Sequence, residues 1–206
     1  TDGVIPTPQT PFFIGSMTKS FTAMAVMQLA EEGRIELDAP VQQYLPWFTL
    51  ADPQASSSIT IRDLLNQTSG ISQLPGMIGL ANFDTSPNST EQQARALSTL
   101  ETTYSGEKQF EYSNVNFNLL GLVIENASGK TYAQYIQENI YAPLEMWNSY
   151  TDKSSARQNG LVTGHMMWFG FPVAVPDLSV PEGSLASGQL IASAEDIGHY
   201  IIAQIN

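Results

Sequence analysis

The sequence contains no cysteine, which excludes a disulfide framework and any metal site built from thiolates. No stretch approaches eighteen consecutive apolar residues, so no segment is expected to span a membrane. Basic residues are scarce: 8 Lys and Arg stand against 20 Asp and Glu, which gives a formal net charge of −12. A chain this acidic is not expected to bind a nucleic-acid backbone or an anionic membrane surface.

Several common catalytic motifs are also absent. The chain has two histidines, His165 and His199, which cannot form a His-Glu-x-x-His zinc site. It contains neither a Gly-x-x-x-x-Gly-Lys phosphate-binding loop nor the Gly-x-Ser-x-Gly turn of Ser-His-Asp hydrolases. We therefore expect no metal and no cofactor. Residues 1–11 are polar and proline-rich, so no signal peptide is expected within the chain.

The chain has enough apolar sequence for one domain. Hydrophobic residues make up 42% of the 206 positions, which excludes a disordered chain and allows a sizeable core. Helical patterns dominate, and evidence for strands is limited to the short segments 12–14 and 110–112. The five predicted helices cover about 16–32, 60–65, 114–128 and 131–140, with a last one from Ser193 that carries Ile197, Tyr200 and Ile201 on one stripe. A further turn at 41–45 and a weak helix at 90–100 are expected, with a loop at 71–87.

The segment after Ser16 carries apolar residues on nearly every side, which is typical of a buried central helix. Gly33 is placed to take the left-handed conformation that ends such a helix. The first turn nevertheless carries two polar residues, Ser16 and Lys19. Because charged side chains are rarely buried without a purpose, we expect this turn to open onto a functional site.

Ser16 and Lys19 form a Ser-x-x-Lys motif, whose spacing of three puts both side chains on one face of a helix. A serine hydroxyl is a poor nucleophile until a neighbouring base takes its proton, and a lysine can be that base. The free amides at the helix start can also hold a developing oxyanion. An isolated Ser-x-x-Lys is more often a helix cap with a solvated lysine. A second copy, Ser105 to Lys108, lies in a polar stretch, whereas the apolar helix after Ser16 favours catalysis there.

Tyr112-Ser113-Asn114 is the only Tyr-x-Asn in the chain. A tyrosine can relay a proton to a leaving group, and a neighbouring amide can orient an acyl side chain. The alternative is a half-buried strand tyrosine followed by an asparagine that caps a helix. Taken alone, the motif favours this alternative.

In their order and spacing, segments spread over essentially the whole chain resemble the class C β-lactamase and D-alanyl-D-alanine peptidase family. They comprise Phe13-Ile14-Gly15-Ser16-Met17-Thr18-Lys19-Ser20-Phe21-Thr22, Gly33-Arg34-Ile35-Glu36-Leu37-Asp38-Ala39-Pro40-Val41, Ile59 through Thr68-Ser69-Gly70, Phe110-Glu111-Tyr112-Ser113-Asn114, Gly129 through Met146, and Pro181-Glu182-Gly183-Ser184 through Asp196. Tyr-x-Asn in place of Ser-Asp-Asn resembles the class C branch.

The resemblance implies that Ser16 is the acylated nucleophile and Lys19 its proton acceptor. Tyr112 would share the proton relay, Asn114 would hydrogen-bond the acyl amide of the substrate, and the Ser16 amide would supply half of an oxyanion hole. The implied parent fold is α+β, with a helical region against an antiparallel sheet built from both chain ends. We expect residues 1–206 to be one incomplete domain of this fold, predominantly α with little of the sheet.

Two features depart from the family pattern. Gln67 stands where many relatives have histidine. The third family motif, Lys-Thr-Gly or His-x-Gly, does not occur, and Gly129-Lys130-Thr131 has the wrong order. In the family this motif lies on a strand that supplies the second oxyanion amide. We therefore expect a chain truncated at both ends, which by itself is weakly active or inactive.

The reaction implied by the resemblance is acyl transfer through a covalent Ser16 ester, followed by hydrolysis. The substrate stays open among β-lactams, D-alanyl peptides and small esters. The alternative is a non-catalytic binding or scaffold protein derived from the same fold, or an inactive fragment. The family implies an extracytoplasmic location, periplasmic, cell-surface or secreted. The expected partners are a small-molecule or peptidyl substrate and, through an uncovered apolar face, further copies of the chain.

Overall fold

The computed structural model describes residues 5–81, 86, 88–103, 108–175 and 181–205. Most of this part of the chain is helical, which confirms the predominantly α architecture. The α-helices, in chain order, are α1 (Thr18–Glu31), α2 (Val41–Tyr44), α3 (Pro53–Ser58), α4 (Ile61–Leu65), α5 (Leu74–Ala81), α6 (Ser89–Arg95), α7 (Asn114–Ser128), α8 (Tyr132–Ile136), α9 (Lys153–Gln158), α10 (Leu185–Gly188) and α11 (Ala194–Ile205). None of them is long and apolar enough to cross a membrane.

The strands of the described chain form two small antiparallel pairs. β1 (Phe12–Phe13) pairs with β4 (Ile191–Ala192), and β2 (His165–Trp168) pairs with β3 (Phe171–Ala174). The expected extended segment at Phe12 is confirmed, whereas the strand expected at 110–112 is wrong. The β2–β3 hairpin was not predicted because its strands lack the alternation of polar and apolar residues that marks a half-buried strand.

The core forms where α1 packs against α7. Phe21 and Leu29 of α1 are fully buried, as are Leu120 and Ile124 of α7. Burying such side chains stabilises the fold by about 25 cal/mol for each Å² of apolar surface removed from water. α1 is the central helix that its apolar residues predicted, although Met27 is 51% exposed. α1 packs against α7, α8 and α10 and leaves one stripe towards solvent.

The helix ends follow the capping signals in the sequence. Thr60 Oγ1 accepts a hydrogen bond from Asp63 N at 3.2 Å, and Asp63 Oδ2 accepts one from Thr60 N at 2.9 Å. This reciprocal capping box begins α4, and Thr131 with Gln134 begins α8 in the same way. Gly33 has φ +72° after the end of α1, the left-handed conformation expected of it.

α5 occupies part of the segment 71–87, so the expectation of a loop there is wrong. Pro75 falls in the first turn of the helix, where its missing N–H leaves no helical hydrogen bond unmade. Gly76 lets α5 approach α7 closely, since a Cβ at this position would lie 3.3 Å from Val115. Residues 82–85 and 87 of the expected loop lie outside the described residues.

Two further helices, α3 and α9, were not predicted. Each is only six residues long and begins at an aspartate cap. Asp52 accepts a hydrogen bond from Gln54 N at 2.8 Å, and Asp152 accepts one from Ser155 N at 2.8 Å. These local caps were the available signal, because helices this short carry too few residues for a hydrophobic period.

The last helix, α11, begins as expected. Ser193 Oγ accepts a hydrogen bond from Asp196 N at 3.1 Å. Of the expected apolar stripe, Tyr200 is buried and Ile197 is partly buried, but Ile201 is 50% exposed. The predicted stripe is therefore right for its first two members only.

Candidate active site

Ser16 lies at the amino end of α1, in a 3-10 turn (Gly15–Met17) that leads directly into the helix. Gly15 has φ +54°, a conformation that side chains disfavour. The Ser16 side chain is exposed, whereas Lys19, one turn further on, is only 8% exposed. Lys19 Nζ donates a hydrogen bond to Ser16 Oγ at 3.3 Å, so the approach expected from their spacing is confirmed.

Lys19 also donates to two atoms that can only accept. These are Asn114 Oδ1 at 2.7 Å and the carbonyl oxygen of Ser187 at 2.6 Å. A neutral amine has two N–H groups and one lone pair, so these two acceptors would leave the lone pair of a neutral Lys19 facing Ser16. In the described part of the chain no carboxylate lies within ion-pair distance of Lys19. The geometry therefore suits proton exchange between Lys19 and Ser16.

Tyr112 contacts Ser16 as well. Its Oη lies 2.7 Å from Ser16 Oγ, although 96 positions separate the two residues, and Lys19 Nζ lies 4.9 Å from the centre of its ring. Partial burial raises the pKa of Tyr112, but hydrogen bonding to Lys19 and Ser16 and the Lys19 charge lower it by more. The net pKa lies below the ordinary value, which makes the phenol a better partner for proton exchange near neutral pH.

Asn114 is the first residue of α7, and its position is fixed from two directions. Gln73 Oε1 accepts a hydrogen bond from Asn114 N at 2.6 Å. Asn114 Oδ1 accepts from Lys19 Nζ and, at 3.4 Å, from Tyr112 Oη. Because Oδ1 is occupied, the Nδ2 amide is the group available to a ligand. The structure thus brings all four predicted site residues into one hydrogen-bonded group.

Two residues of this group, Ser187 and Gln73, were not found from the sequence. Ser187 lies on α10, 168 positions after Lys19, and Thr22 Oγ1 ties the same helix to α1 by donating to Ala186 O at 2.7 Å. Both contacts depend on tertiary packing rather than on a local pattern. Ser187 falls within residues 181–196, which resemble the family, and this resemblance was the available signal for it.

The other candidates raised by the sequence lie away from this group. The described residues contain no cluster of His, Asp and Glu that could hold a metal ion. His199 contacts the Leu144 carbonyl at 3.0 Å, and His165 lies in the exposed β2–β3 hairpin. Of the second Ser-x-x-Lys, residues 105–107 lie outside the described residues, and Lys108 forms an ion pair with Asp63.

A protein-family model described as Beta-lactamase matches residues 1–206. The chain belongs to the beta-lactamase family. Protein flp of Staphylococcus aureus (strain MW2) is 34% identical over 203 residues, which are 97% of this chain and 39% of that protein. The teichoic acid D-alanine hydrolase of Staphylococcus aureus (strain MRSA252) is 32% identical over 154 residues, 74% of this chain and 36% of that protein. The chain therefore spans well under half the length of these curated relatives.

Several solved structures resemble the fold. The octameric penicillin-binding protein homologue from Pyrococcus abyssi has a TM-score of 0.77 at 33% identity, covering 95% of this chain and 45% of that one. FmtA from Staphylococcus aureus has 0.78 at 25% identity, covering 98% and 54%. A D-stereospecific amidohydrolase from Streptomyces sp. has 0.75 at 27% identity, covering 94% and 60%. The fold is that of β-lactamase-like and penicillin-binding-protein-like proteins, and the relatives named as hydrolases place the chain in a hydrolase family.

Proposed function

We propose that the chain is a serine acyl-hydrolase that forms a covalent ester at Ser16. One observation carries the proposal: Ser16 Oγ lies within hydrogen-bond distance of two groups that can take its proton. Lys19 Nζ lies 3.3 Å away and Tyr112 Oη lies 2.7 Å away. A serine becomes an effective nucleophile when such a base is in contact with it.

Acylation begins when Ser16 Oγ attacks the acyl carbonyl carbon and its proton passes to Lys19, either directly or through Tyr112. The carbonyl oxygen of the resulting tetrahedral intermediate becomes negative, and the backbone amide of Ser16 would supply half of the oxyanion hole that stabilises it. The bond to the leaving group then breaks, and the proton passes through Tyr112 to the leaving atom. The product is an ester between Ser16 and the acyl group.

Deacylation repeats these steps with water as the nucleophile. The Lys19 and Tyr112 pair takes a proton from the water, and the ester bond to Ser16 breaks as Oγ regains a proton. Asn114 positions the acyl group throughout, since its Nδ2 can donate to an amide carbonyl of the substrate while Oδ1 stays bound to Lys19. This orientation holds the reacting carbonyl in line with Ser16 Oγ.

The substrate class that we propose is a D-aminoacyl ester or amide. Two relatives support this choice by their names, a teichoic acid D-alanine hydrolase and a D-stereospecific amidohydrolase. β-Lactams and simple activated esters undergo the same acyl transfer and serve as probes of Ser16. A preference for the D configuration separates this proposal from a general esterase.

The test compares acylation of the chain by matched substrates. A D-alanyl thioester, its L-alanyl enantiomer, a p-nitrophenyl ester and a penicillin are each incubated with the wild type and with Ser16→Ala, and the acyl-enzyme is quantified by intact mass spectrometry after acid quenching. We expect acylation that requires Ser16 and is faster with the D than with the L substrate. Equal labelling of wild type and Ser16→Ala would overturn the proposal, and equal rates for D and L would overturn the substrate class.

Self-association is a separate part of the proposal. The outer face of α11 exposes Ile201, Ile202 and Ile205, and a homologue is described as octameric. Exposed apolar patches of this kind favour association. We expect multi-angle light scattering to give a mass above the 22.5 kDa of one chain, and Ile202→Lys with Ile205→Lys to lower it. A monomer at every concentration would contradict this part.

A further inference from the structure

Gln67 adopts an unusual backbone conformation directly after α4. Its φ is +59°, in the left-handed region that glycine or asparagine ordinarily occupies. Its side chain is nevertheless buried, with only 6% of the residue exposed. A non-glycine residue held in a disfavoured conformation indicates that its side chain makes contacts that a glycine could not make.

Those contacts converge on the segment that carries Tyr112. Gln67 Oε1 accepts two hydrogen bonds, from Ser113 N at 3.0 Å and from Asn116 Nδ2 at 2.6 Å. The carbonyl oxygen of Gln67 accepts a third, from Glu111 N at 2.8 Å. One residue therefore holds the chain on both sides of Tyr112.

The donors that bind Gln67 Oε1 are buried and depend on it. Ser113 and Asn116 are both fully buried, so removal of the acceptor would leave two N–H groups without that partner and out of reach of bulk water. Asn116 is fixed at its other end, because Ser69 Oγ donates to Asn116 Oδ1 at 2.7 Å. Breaking the Gln67 contacts is expected to shift the backbone at Ser113 rather than the rest of α7.

We propose that Gln67 is a positioning residue, which sets Tyr112 and Asn114 against Ser16 and Lys19 without touching the substrate. The inference rests on the proposed function of Ser16 and deepens it. Ser113 lies between the two site residues, so a backbone shift there moves both at once. A shift of about 1 Å takes Tyr112 Oη out of its contact with Ser16 and lowers the rate by roughly 10²-fold.

Three substitutions of Gln67 distinguish an effect on the position of Tyr112 and Asn114 from an effect on the stability of the protein. Gln67→Met keeps the side-chain length but removes the amide acceptor. Gln67→Gly removes the acceptor and also relieves the left-handed backbone conformation. Gln67→Glu keeps an oxygen that can accept from Ser113 N. Gln42→Met is the matched control, since Gln42 is a half-buried glutamine that binds the Phe48 carbonyl elsewhere in the fold.

The measurement is the rate at which a fluorophosphonate probe phosphonylates Ser16, with loss of fluoride, as a function of pH, together with the thermal unfolding midpoint of each variant. We expect Gln67→Met and Gln67→Gly to be phosphonylated about 10- to 100-fold more slowly, with the pH dependence of the rate displaced upwards as Tyr112 leaves Lys19. Gln67→Glu should recover part of the rate, and Gln42→Met should match the wild type.

The outcomes distinguish this inference from the proposed function. If the probe does not label the wild type at Ser16, the proposed function fails and the inference fails with it. If the wild type is labelled at Ser16 but Gln67→Met and Gln67→Gly react at its rate, only the inference fails. A loss of rate that follows the unfolding midpoint across the variants, with an unchanged pH dependence, would also overturn it, because Gln67 would then be a structural residue.

Discussion

Ser16 Oγ and Tyr112 Oη lie 2.7 Å apart, although the described chain between them includes the six helices α1 to α6 and returns to the site only at the start of α7. The contact exists because α1 packs against α7, which sets the amino ends of the two helices side by side. Lys19 joins them, since it reaches both Ser16 and the first residue of α7, Asn114. The chemistry proposed for the site thus depends on the packing of the two central helices.

The Tyr112 hydroxyl is expected to matter for catalysis and not for folding. Tyr112→Phe should slow Ser16 acylation by about 10²–10⁴-fold, because it removes a group that exchanges protons with Ser16. Stability should change by less than about 0.5 kcal/mol, since the side chain is 41% exposed. Stopped-flow labelling and urea unfolding measure the two effects. Tyr150→Phe is the matched control, and a Tyr112→Phe rate equal to that of this control would contradict the proton relay.

Acid stability should depend on Asp63, which accepts hydrogen bonds from Lys108 Nζ at 2.5 Å and Thr60 N at 2.9 Å. Burial raises the pKa of the Asp63 carboxyl, but its hydrogen bonds with Lys108 and Thr60 lower it by more. The folded pKa is therefore below the unfolded value of about 3.9, so the unfolded state takes up the proton first as the pH falls.

It follows that the stabilisation from Asp63 is present above about pH 4 and is lost as the pH falls through the folded pKa. Urea unfolding followed by circular dichroism between about pH 3 and 7 should show this loss in the wild type. Asp63→Asn should be less stable near neutral pH and should lose less stability on acidification. Identical acid dependence in the two proteins would contradict the assignment.

Gly121 is expected to allow α7 and α10 to pack closely, because it has no Cβ. A Cβ at this position would lie 2.7 Å from Ala186 Cβ, so Gly121→Ala must displace α10. We expect a loss of about 1–3 kcal/mol in the free energy of unfolding. Acylation should fall as well, since the next residue of α10, Ser187, binds Lys19.

Gly198→Ala in α11 is the control for this substitution. A Cβ at Gly198 would meet nothing within 4 Å, so the higher helix propensity of alanine should raise stability by up to about 1 kcal/mol. Urea unfolding of both variants tests the pair. A Gly121→Ala protein as stable as Gly198→Ala would show that α10 can move without cost.

The parts of the site that were predictable are those with a local signal. Ser16 and Lys19 are three residues apart on one helix, so their contact follows from helical spacing. Tyr112 and Asn114 were found through a family resemblance, because nothing in their local pattern relates them to Ser16. The hydrogen bonds of Gln67 and Ser187 were not predictable, since they arise only when α4 and α10 are packed against the central helices.

The same distinction between local signals and tertiary packing explains which helices could be predicted. α4, α7 and α8 carry caps or a long apolar pattern, and their positions were predicted to within a few residues. α5 was missed because Pro75 and Gly76 resemble loop residues when their places in the helix are unknown. α1 carries apolar residues on nearly every side, and the exposure of Met27 shows that composition alone does not tell which side a neighbouring element covers.

The most direct test is to locate the covalent adduct by mass spectrometry. Trypsin cleaves after Lys19, so the peptide of residues 1–19 contains Ser16 and separates it from Tyr112. After incubation with the fluorophosphonate probe, we expect the added mass on this peptide, with fragment ions that place it on Ser16. The adduct should be absent in Ser16→Ala and at least about 10²-fold slower to form in Lys19→Met. An adduct on another residue, or equal labelling of Lys19→Met and the wild type, would contradict Ser16 as a nucleophile activated by Lys19.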